Sequence, residues 1–367
     1  MAAPKRILLS GYYGLSNTGD EAVLSAIIAG LRSHSADVEI TVLSASPAET
    51  ANLHNVSALP RMSVSHVTKA IKECDLFISG GGSLLQDATS FKSLAYYLLV
   101  IGLAKRYRRK VMILGQGIGP LRRNLSRRLT ARTLNGVDLI TVRDSQSAEL
   151  LRELGVGGKI EVTADPTLAL DPCSREESAR LWSEAGFREG DDVIAVSLRK
   201  WPETPEIEDA AAKALAELAQ EIPVKFLLVT MQRPQDELVT QGIARSTGLG
   251  NRIAVQPETW TAEQLLGVLG RCRFVVGMRL HALIFAAAAG VPSLGIEYDP
   301  KVARFVEATG QEGITLDECA SGLLAKRALD AWNKRAGLAS NLVEAVPAMK
   351  RSAEENFSLA AELLSGG

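Results

Sequence analysis

Short apolar runs alternate with amphipathic segments of helical length along almost the whole chain, and this alternation restricts the fold more than any other feature. In the first half the apolar runs are Arg6–Ser10, Glu39–Leu43, Leu76–Ser79, Val111–Gly115, Leu139–Val142 and Ile160–Val162. They are separated by segments with helical spacing, among them Glu21–Leu31, Lys92–Tyr107 and Ser145–Leu154. Strands that alternate with helices form parallel sheets with helices on both faces. The first half is therefore predicted to be a doubly wound α/β domain.

The alternation is interrupted once and then starts again. Asp165-Pro166 and Asp171-Pro172 are interpreted as a linker, because proline lacks an amide hydrogen and restricts the residue before it. The apolar runs that follow are Val193–Leu198, Lys225–Thr230, Arg252–Val255, Arg273–Val276 and Ser293–Gly295. The helical segments between them are Glu208–Ala219, Pro234–Ser246, Ala262–Leu269 and Ala282–Ala289.

A chain of 367 residues is long enough for two hydrophobic cores. We expect two Rossmann-like domains, residues 1–170 and 171–340, whose parallel sheets face a central cleft. Residues 317–364 are predicted to be mostly helical. The last helix, after Pro347 and within residues 341–367, is expected to pack back on the first domain.

Composition and charge exclude several classes of protein. The net charge of −1 gives no overall basic field for nucleic acid, and no apolar run approaches the ~20 residues of a membrane span. The four cysteines lie far apart without a C-x-x-C pair, which favours neither a zinc site nor a disulfide scaffold. The first apolar run begins too close to Met1 for a signal peptide. A cytoplasmic, disulfide-free enzyme without a metal is expected.

Residues 278–292, Met-Arg-Leu-His-Ala-Leu-Ile-Phe-Ala-Ala-Ala-Ala-Gly-Val-Pro, carry the strongest chemical signal. They follow the apolar run that ends at Val276, so Arg279 and His281 are expected where a strand meets the start of a helix. Helix N-termini favour anions, and ligands of open α/β sheets bind at the carboxyl ends of strands. The motif predicts an anion site beside a proton donor. A helix-start histidine with only structural contacts is the alternative.

Four further cations are predicted at strand ends or at a helix start. Arg199 and Lys200 follow Val193–Leu198, and two adjacent cations repel each other unless an anion or acidic group joins them. Lys301 is expected at a helix start, where the helix dipole disfavours a cation that serves no anion. Arg143 ends the run Leu139–Val142, and for it a surface or capping role competes equally with anion binding.

Glycine-rich turns follow three of the apolar runs of the first half. Such turns let the backbone bend sharply or approach a ligand closely, and three in one sheet indicate one crevice. Helix capping and tight strand-to-helix turns are the structural alternatives. The polar and glycine residues expected to face this crevice are Asn17, Asp20, Glu21, Gly81, Gly82, Gln86, Asp87 and Gln116.

An apolar helical segment, Leu94–Ala104, is followed by a basic one, Lys105-Arg-Tyr-Arg-Arg-Lys. Arg122-Arg123 and Arg127-Arg128 follow further along. A basic run at a helix end is ordinarily a solvated end that suits the helix dipole. A patch that contacts the anionic surface of a membrane is the functional alternative.

The order of these motifs resembles that of the polysaccharide pyruvyl transferases, and of their CsaB-like branch in particular. The resemblance rests on five segments and covers nearly the whole chain: Gly11-Tyr-Tyr-Gly-Leu-Ser-Asn-Thr-Gly-Asp-Glu-Ala, Gly80-Gly-Gly-Ser-Leu-Leu-Gln-Asp, Gly115-Gln-Gly-Ile-Gly-Pro, Ser197-Leu-Arg-Lys and Met278-Arg-Leu-His-Ala. It implies a glycosyltransferase-B-like pair of Rossmann-type domains. It also implies transfer of the pyruvyl unit of phosphoenolpyruvate (PEP) onto a sugar, with formation of a cyclic ketal and release of phosphate.

For the CsaB-like branch the implied acceptor is a β-linked N-acetylmannosamine of a lipid-linked secondary cell-wall polysaccharide precursor, ketalised at O4 and O6, and the ketal anchors surface-layer proteins. We expect PEP to be a co-substrate, with no cofactor, and the enzyme to work in the cytoplasm or at the inner face of the membrane. Nucleic acid is not an expected partner. A homo-oligomer is compatible with the sequence, but nothing in the sequence requires one.

With this reaction, His281 is the expected general acid and base, and Arg199 and Arg279 act beside it. The PEP-binding residues are expected to be Arg199, Arg279, Lys301 and Arg143, because Arg forks suit phosphate and carboxylate. The eight crevice residues are expected on the acceptor side. The alternatives are a nucleotide-sugar-dependent glycosyltransferase, for which Glu297 is the candidate ribose ligand, and a non-catalytic sugar- or anion-binding protein.

Overall fold

The computed structural model describes residues 3–35, 37–200, 207–257 and 259–366. It divides into two compact units. Unit 1 comprises Met1–Leu170 with Met349–Gly367, and unit 2 comprises Asp171–Ala348. The boundary near the C-terminus thus falls after Ala348, whereas the sequence suggested residue 340.

Unit 1 is a parallel sheet of seven strands covered by helices. Its strands are β1 (Lys5–Ser10), β2 (Val38–Ser44), β3 (Ser57–Pro60), β4 (Leu76–Gly80), β5 (Lys110–Gln116), β6 (Leu139–Val142) and β7 (Ile160–Val162), in the order β3-β2-β1-β4-β5-β6-β7. Its helices are α1 (Thr18–His34), α2 (Pro47–His54), α3 (Val64–Glu73), α4 (Phe91–Arg106), α5 (Asn124–Leu134) and α6 (Ser145–Glu153), and a 3-10 turn covers Pro166–Ala169. A buried apolar cluster of strand residues and residues of α3 to α6 forms the core on one face.

Unit 2 repeats the architecture with six parallel strands. Its strands are β8 (Val193–Ser197), β9 (Lys225–Leu228), β10 (Ile253–Val255), β11 (Phe274–Gly277), β12 (Ser293–Glu297) and β13 (Glu312–Thr315), in the order β10-β9-β8-β11-β12-β13. Its helices are α7 (Arg175–Glu184), α8 (Ile207–Glu221), α9 (Gln235–Ser246), α10 (Ala262–Leu269), α11 (Leu280–Ala288), α12 (Pro300–Ala308), α13 (Leu316–Ala320), α14 (Leu324–Asn333) and the first part of α15 (Arg335–Ser365), and a 3-10 turn covers Gly250–Arg252.

The predicted fold class is confirmed, because every strand pair in the described residues is parallel and helices follow the strands. Each apolar run of the sequence contains a strand. The sequence did not predict β3, β13, or the helices α2, α3, α5 and α7, whereas the helix start expected at Lys301 is that of α12. In β3 no residue is buried, so this edge strand carries no run of apolar side chains to reveal it.

The order of strands reverses direction once in each sheet, between β1 and β4 in unit 1 and between β8 and β11 in unit 2. In open α/β sheets, ligands bind outside the carboxyl ends of the strands at such a reversal. The glycine-rich segments that follow β1 and β4 and the Arg-containing segments that follow β8 and β11 lie at these two positions. The strongest motifs of the sequence therefore coincide with the positions that the topology favours.

None of the described helices is long and apolar enough to cross a membrane. The four cysteines are all free thiols. Cys74 is buried, and burial raises its pKa to about 11, so its thiol is not a ready nucleophile.

The last helix, α15, is a single helix of 31 residues with Pro347 inside it, rather than a helix that starts after this proline. Proline removes a backbone hydrogen bond and costs roughly 3 kcal/mol in a helix interior. Apolar residues at helical spacing on both sides of it offset this cost. They are buried, and they are Leu338, Leu342 and Val346 in unit 2, and Ala353, Phe357, Ala360 and Leu364 in unit 1.

Asn356 fixes the end of α15 to the sheet of unit 1. The hydroxyls of Thr141 and Thr163 donate to its Oδ1 over 2.6 Å and 2.9 Å. Its Nδ2 donates to the carbonyl oxygens of Ala164 at 3.1 Å and Ala353 at 3.0 Å. Because Asn356 is fully buried, all four bonds form away from water, and the amide determines where the helix lies against the sheet.

We expect Asn356→Ala to lower the free energy of unfolding by about 3 kcal/mol, because it leaves buried donors and a buried acceptor without partners. Urea unfolding followed by far-UV circular dichroism measures the loss. Glu354→Ala, at an exposed position of the same helix, is the control and should change the free energy little. Equal effects of the two substitutions would contradict the anchoring role of Asn356.

Candidate functional site

In unit 2 the register of three neighbouring strands aligns the starts of three loops. Ser197 of β8 pairs with Gly277 of β11, and Gly277 pairs with Gly295 of β12. Arg199, Arg279 and Lys301 follow these residues within a few positions. The structure therefore brings the cationic segments of unit 2 together at the carboxyl edge of one sheet. Met278 N–H donates to Ser197 O at 2.7 Å and extends the pairing beyond the strands.

His281 lies in the first turn of α11. Arg279 is the N-cap residue with extended backbone, and the N–H of Ala282 donates to its carbonyl oxygen at 3.0 Å. Leu280, Ala282 and Leu283 are buried, so the first turn is held against the core while His281 remains partly exposed. Because the first N–H groups of a helix lack intrahelical acceptors, this turn suits an anion next to the imidazole.

Arg279 is paired with an acidic residue that the sequence did not single out. Its Nε donates to Asp236 Oδ2 at 2.9 Å, and its Nη2 donates to Asp236 Oδ1 at 2.5 Å and to Gln232 Oε1 at 3.2 Å. Asp236 is completely buried, and the Arg279 side chain is 12% exposed. The guanidinium is therefore oriented by a bidentate ion pair. Asp236 lies in the first turn of α9, where an acidic residue is ordinary, so nothing in the sequence marks it for this role.

Arg199 and Lys301 share an aromatic neighbour, Tyr298. The Arg199 Cζ lies 5.5 Å and the Lys301 Nζ 5.6 Å from the centre of its ring. Lys301 Nζ also lies 3.5 Å from Asp299 Oδ2, and Asp299 caps α12 by accepting from the Lys301 N–H. Asp299 therefore compensates part of the positive charge of Lys301. The position of this lysine at a helix start is thus weaker support for an anionic ligand than the sequence suggested.

Arg143 belongs to unit 1, whereas the other predicted PEP ligands belong to unit 2. Its Nη1 donates to Asp165 Oδ2 at 3.0 Å and its Nη2 to the Ser83 hydroxyl at 2.9 Å. Its side chain is largely buried and packs against Gly117, where an added Cβ would lie 2.8 Å from Nη2. The structure gives Arg143 a role in joining the loops of unit 1.

The segment between β1 and α1 is held by two of the predicted acceptor residues. Asn17 caps α1 by accepting from the Gly19 N–H at 3.0 Å. Glu21 Oε1 accepts from the Gly14 N–H at 2.7 Å, and its Oε2 lies 3.1 Å from His54 Nε2. His54 of α2, to which the sequence assigned no role, thus contacts this segment. These structural contacts explain the presence of Asn17 and Glu21 in the segment.

Asp20 differs from these two residues because it faces the triple-glycine turn after β4. A Cβ added at Gly82 would lie 3.0 Å from Asp20 Oδ1. Gly81 and Gly82 both have positive φ, at 61° and 67°, which explains why the turn needs glycine. Burial, then the charges of Asp20 and Glu21, raise the pKa of Tyr13, whose hydroxyl donates to Gly80 O at 3.0 Å. The carboxylate of Asp20 and the backbone of the turn therefore lie together.

The loops after β4 and β5 support each other. Gly117 N–H donates to Gly82 O at 2.8 Å, and Gly119 N–H donates to Leu85 O at 2.9 Å. Gln116 is fully buried, and its Nε2 donates to both the backbone oxygen and the hydroxyl of Ser79. Gln116 therefore links β5 to β4. The sequence predicted that its side chain faces a ligand, but in the structure this side chain is buried between the two strands.

Gln86 and Asp87, which follow the triple-glycine turn, have different surroundings. Asp87 is buried and accepts from the N–H groups of Arg122 at 2.7 Å and Arg123 at 2.9 Å. Burial acts to raise its pKa, but these bonds, the Ser126 hydroxyl and the Arg123 charge together lower it. Gln86 is partly exposed and bonds to Thr89. Among the predicted acceptor residues, Asn17, Asp20, Glu21 and Gln86 are partly exposed, whereas Asp87 and Gln116 are buried.

A groove of about 460 Å³ in unit 1 was not predicted from the sequence. It lies at the carboxyl ends of β1, β2 and β3, and apolar and aromatic side chains form most of its wall: Tyr12, Leu15, Pro60, Met62 and Tyr96. Arg61 stacks on Tyr96, with its Cζ 4.6 Å from the ring centre. No single motif encodes the groove, because its walls come from loops after three different strands.

No group of three or more His, Cys, Asp or Glu residues within the described ranges could hold a metal ion. In unit 2 the charged groups at the carboxyl edge are instead cations, with carboxylates that orient them. This arrangement suits a small anion with more than one negative charge, next to an imidazole.

Comparison with known proteins gives a family match and a set of similar folds. The family model of polysaccharide pyruvyl transferases matches residues 17–300. Among solved structures, a UDP-N-acetylglucosamine 2-epimerase described for Listeria monocytogenes has a TM-score of 0.69 at 15% identity, with coverage of 100% of this chain and 98% of that chain. HepE of Anabaena, in complex with UDP and glucose, has a TM-score of 0.66 at 17% identity over 99% and 100%. The epimerase of Neisseria meningitidis bound to UDP-GlcNAc has a TM-score of 0.66 at 12% identity over 99% and 100%. These similarities establish a glycosyltransferase-B-like fold.

We expect Asp236→Asn to lower the free energy of unfolding by about 3 kcal/mol, since it leaves the largely buried Arg279 charge without its counter-ion. Urea unfolding measures the change. Asp209→Asn, an exposed carboxylate on α8, is the matched control and should cost under about 0.5 kcal/mol. A loss no larger than that of the control would show that the pair does not anchor Arg279.

Proposed function

Because the chain belongs to the polysaccharide pyruvyl transferase family, we propose that it transfers the pyruvyl unit of PEP onto a sugar as a cyclic ketal and releases phosphate. The observation that carries this proposal is the carboxyl edge of unit 2. There Arg199, Arg279 and Lys301 lie on loops that follow three adjacent strands, with His281 in the first turn of a helix.

This edge has the charge that PEP requires. PEP carries a carboxylate and a phosphate, roughly three negative charges at neutral pH. Arg199 and Lys301 flank Tyr298, and the N-terminus of α11 offers N–H groups to an anion. Arg279 is held by Asp236, so it presents its remaining donors in a fixed direction. In this proposal Arg199 and Lys301 supply positive charge to the anion, and Arg279 positions the anion next to His281.

His281 is the proposed general acid and base. Addition of a proton to C3 of PEP converts the methylene to a methyl group, and C2 becomes an oxocarbenium-like centre. One sugar hydroxyl adds to C2 and gives up its proton. The neighbouring hydroxyl then closes the ring, its proton is removed, and phosphate leaves with the C2–O bond electrons. An imidazole can donate the proton to C3 and take back one of the two hydroxyl protons. The departing phosphate carries the other hydroxyl proton, so the protons balance over the cycle.

The acceptor side of the proposal involves unit 1. Asp20 and Gln86 are the candidate ligands for sugar hydroxyls. Asn17, Glu21, Asp87, Gln116, Gly81 and Gly82 shape the loops that hold them. We further propose, from the CsaB-like motifs, that the acceptor is a β-linked N-acetylmannosamine on a lipid-linked cell-wall precursor, ketalised at O4 and O6, and that the reaction takes place at the cytoplasmic face of the membrane.

Transfer from a nucleotide sugar is the competing function. The observation that favours it is that HepE and the epimerase of N. meningitidis, which share this fold, are described with UDP or UDP-sugars. That similarity, at 12% to 17% identity, concerns the fold alone. Glu297, the candidate ribose ligand, extends over β13, where a Cβ added at Gly313 would lie 2.8 Å from its Cδ. Its carboxylate is therefore packed on the neighbouring strand.

The decisive experiment is phosphate release from PEP with and without a lipid-mimic acceptor that ends in β-N-acetylmannosamine. We expect release to depend on the acceptor and to fall ~100- to 10,000-fold in His281→Ala, because a general acid and base contributes about this much. His66→Ala, an exposed histidine of α3, is the control and should keep full turnover. Full turnover of His281→Ala would refute its assignment. Thermal stabilisation by UDP-sugars but not by PEP, with no phosphate release, would instead favour the competing function.

Arg199 and its neighbour Lys200 provide a matched pair for testing the PEP site. We expect Arg199→Ala to raise the KM for PEP at least about tenfold, because a charge-assisted hydrogen bond to an anion is lost. Lys200 is exposed, and Lys200→Ala should change this KM less than about threefold. The measurement is initial rate against PEP concentration at saturating acceptor. Equal effects of the two substitutions on the KM for PEP would show that Arg199 does not bind PEP.

A further inference from the structure

The positive charge of the chain is concentrated in one segment of unit 1. Residues 61–134 contain fourteen Lys or Arg and three Asp or Glu, a net charge of +11, although the whole chain has −1. The remaining residues therefore carry −12. A charge separation of this size indicates a surface that meets a polyanion, whereas an even distribution would not.

This segment builds three neighbouring helices, with α4 packed between α3 and α5. Their outer sides, together called here the α3–α5 face, carry stripes of basic and apolar residues at helical spacing. On α4 the exposed residues Lys92, Leu99 and Arg106 lie seven positions apart, and on α5 Leu125, Arg128 and Arg132 form a similar stripe. Both stripes mix cations with an exposed leucine.

Large apolar side chains on the α3–α5 face are unusually accessible. Val64, at the start of α3, is 79% exposed, and Leu99, in the middle of α4, is 71% exposed. Met62 and Leu125 are also exposed. Surfaces that combine protruding apolar residues with Lys and Arg are typical of protein segments that lie in the interface of an anionic bilayer. A soluble polyanion would need the charges but not the apolar side chains.

Not every cation of the basic run is available at this surface. Lys105 donates to backbone oxygens of Thr133 and Asn135, which end α5 or follow it. Arg109 donates to Cys74 O at 3.2 Å, and Lys110 donates to Leu363 O at 2.8 Å and to Gly366 O. The exposed cations are Lys69, Lys72, Lys92, Arg106, Arg108, Arg122, Arg123, Arg128 and Arg132.

We propose that the α3–α5 face docks unit 1 on an anionic membrane surface. The starts of α3, α4 and α5 lie at the carboxyl edge of the sheet, because each helix follows its strand. The groove that contains Met62 and Tyr96 opens at this same edge and also contains Tyr12 and Leu15 of the segment after β1. The biological role of this docking rests on the proposed function. Docking would hold the proposed lipid-linked acceptor beside Asp20 and the triple-glycine turn.

Vesicle co-sedimentation of the full chain tests the proposal without any enzymatic step. The wild type should bind vesicles of phosphatidylcholine with 30% phosphatidylglycerol, should bind phosphatidylcholine vesicles at least about tenfold more weakly, and should be released by 0.5 M NaCl. Arg128→Glu should weaken binding to the anionic vesicles about tenfold. Val64→Gln with Leu99→Gln, which removes apolar area but no charge, should do the same.

The matched control is Leu238→Gln with Val343→Gln, two similarly exposed apolar residues of unit 2, at 68% and 73%. These variants should bind as the wild type does, and every variant should keep phosphate release with a water-soluble acceptor. Wild-type protein that does not sediment with anionic vesicles would overturn the proposal. So would apolar variants that bind normally while Arg128→Glu fails, since that pattern shows that the face attracts anions by charge alone and does not enter the bilayer interface. Vesicle binding without PEP-dependent phosphate release would refute the proposed function alone.

Discussion

The parallel pairing of β8 with β11 determines where the charged groups of unit 2 can lie. Ser197 is in register with Gly277, and the bond from Met278 N–H to Ser197 O continues the pairing past the last strand residue. Because both strands end at the same level, the segments with Arg199 and Arg279 leave the sheet side by side. The alignment of β12 adds Tyr298 and Lys301 by the same means. Backbone geometry thus gathers cations that Coulomb repulsion would otherwise separate.

The cations gathered in this way are compensated unequally. Arg279 has a buried bidentate partner in Asp236, while Lys301 has a partly exposed carboxylate at 3.5 Å and the face of an aromatic ring. A buried charge without a partner costs several kcal/mol, so Asp236 makes it feasible to keep a guanidinium near His281 before any substrate binds. A partly exposed cation such as Lys301 needs less compensation, because water screens it. A negatively charged ligand would replace that water.

The sequence predicted the fold class and the unit 2 motif because both depend on local pattern. Apolar runs mark buried strands, and an Arg and a His after such a run necessarily lie at a carboxyl end. The partners of these residues could not be predicted. Asp236 is 43 residues from Arg279 in the sequence and looks like an ordinary helix-start acid. In unit 1 the glycine-rich turns were correctly located, but Asn17, Glu21, Asp87 and Gln116 mainly hold loops together. Polar residues near a glycine turn serve the backbone as readily as a ligand, and composition does not distinguish the two.

In the basic segment of unit 1, the sequence likewise does not distinguish cations that stabilise the fold from cations that are available to a partner. Lys105, Arg109 and Lys110 belong to one run of cations, yet their side chains donate to the carbonyl oxygens of other segments and so stabilise the fold. Arg106 and Arg108 lie in the same run and point to solvent. A count of charges would treat all five alike. Burial and hydrogen bonding separate them, and the cations that remain exposed lie beside exposed leucine and valine side chains. An apolar side chain exposed to water gains nothing for folding, so its repeated occurrence between cations is explained best by a surface that both can enter.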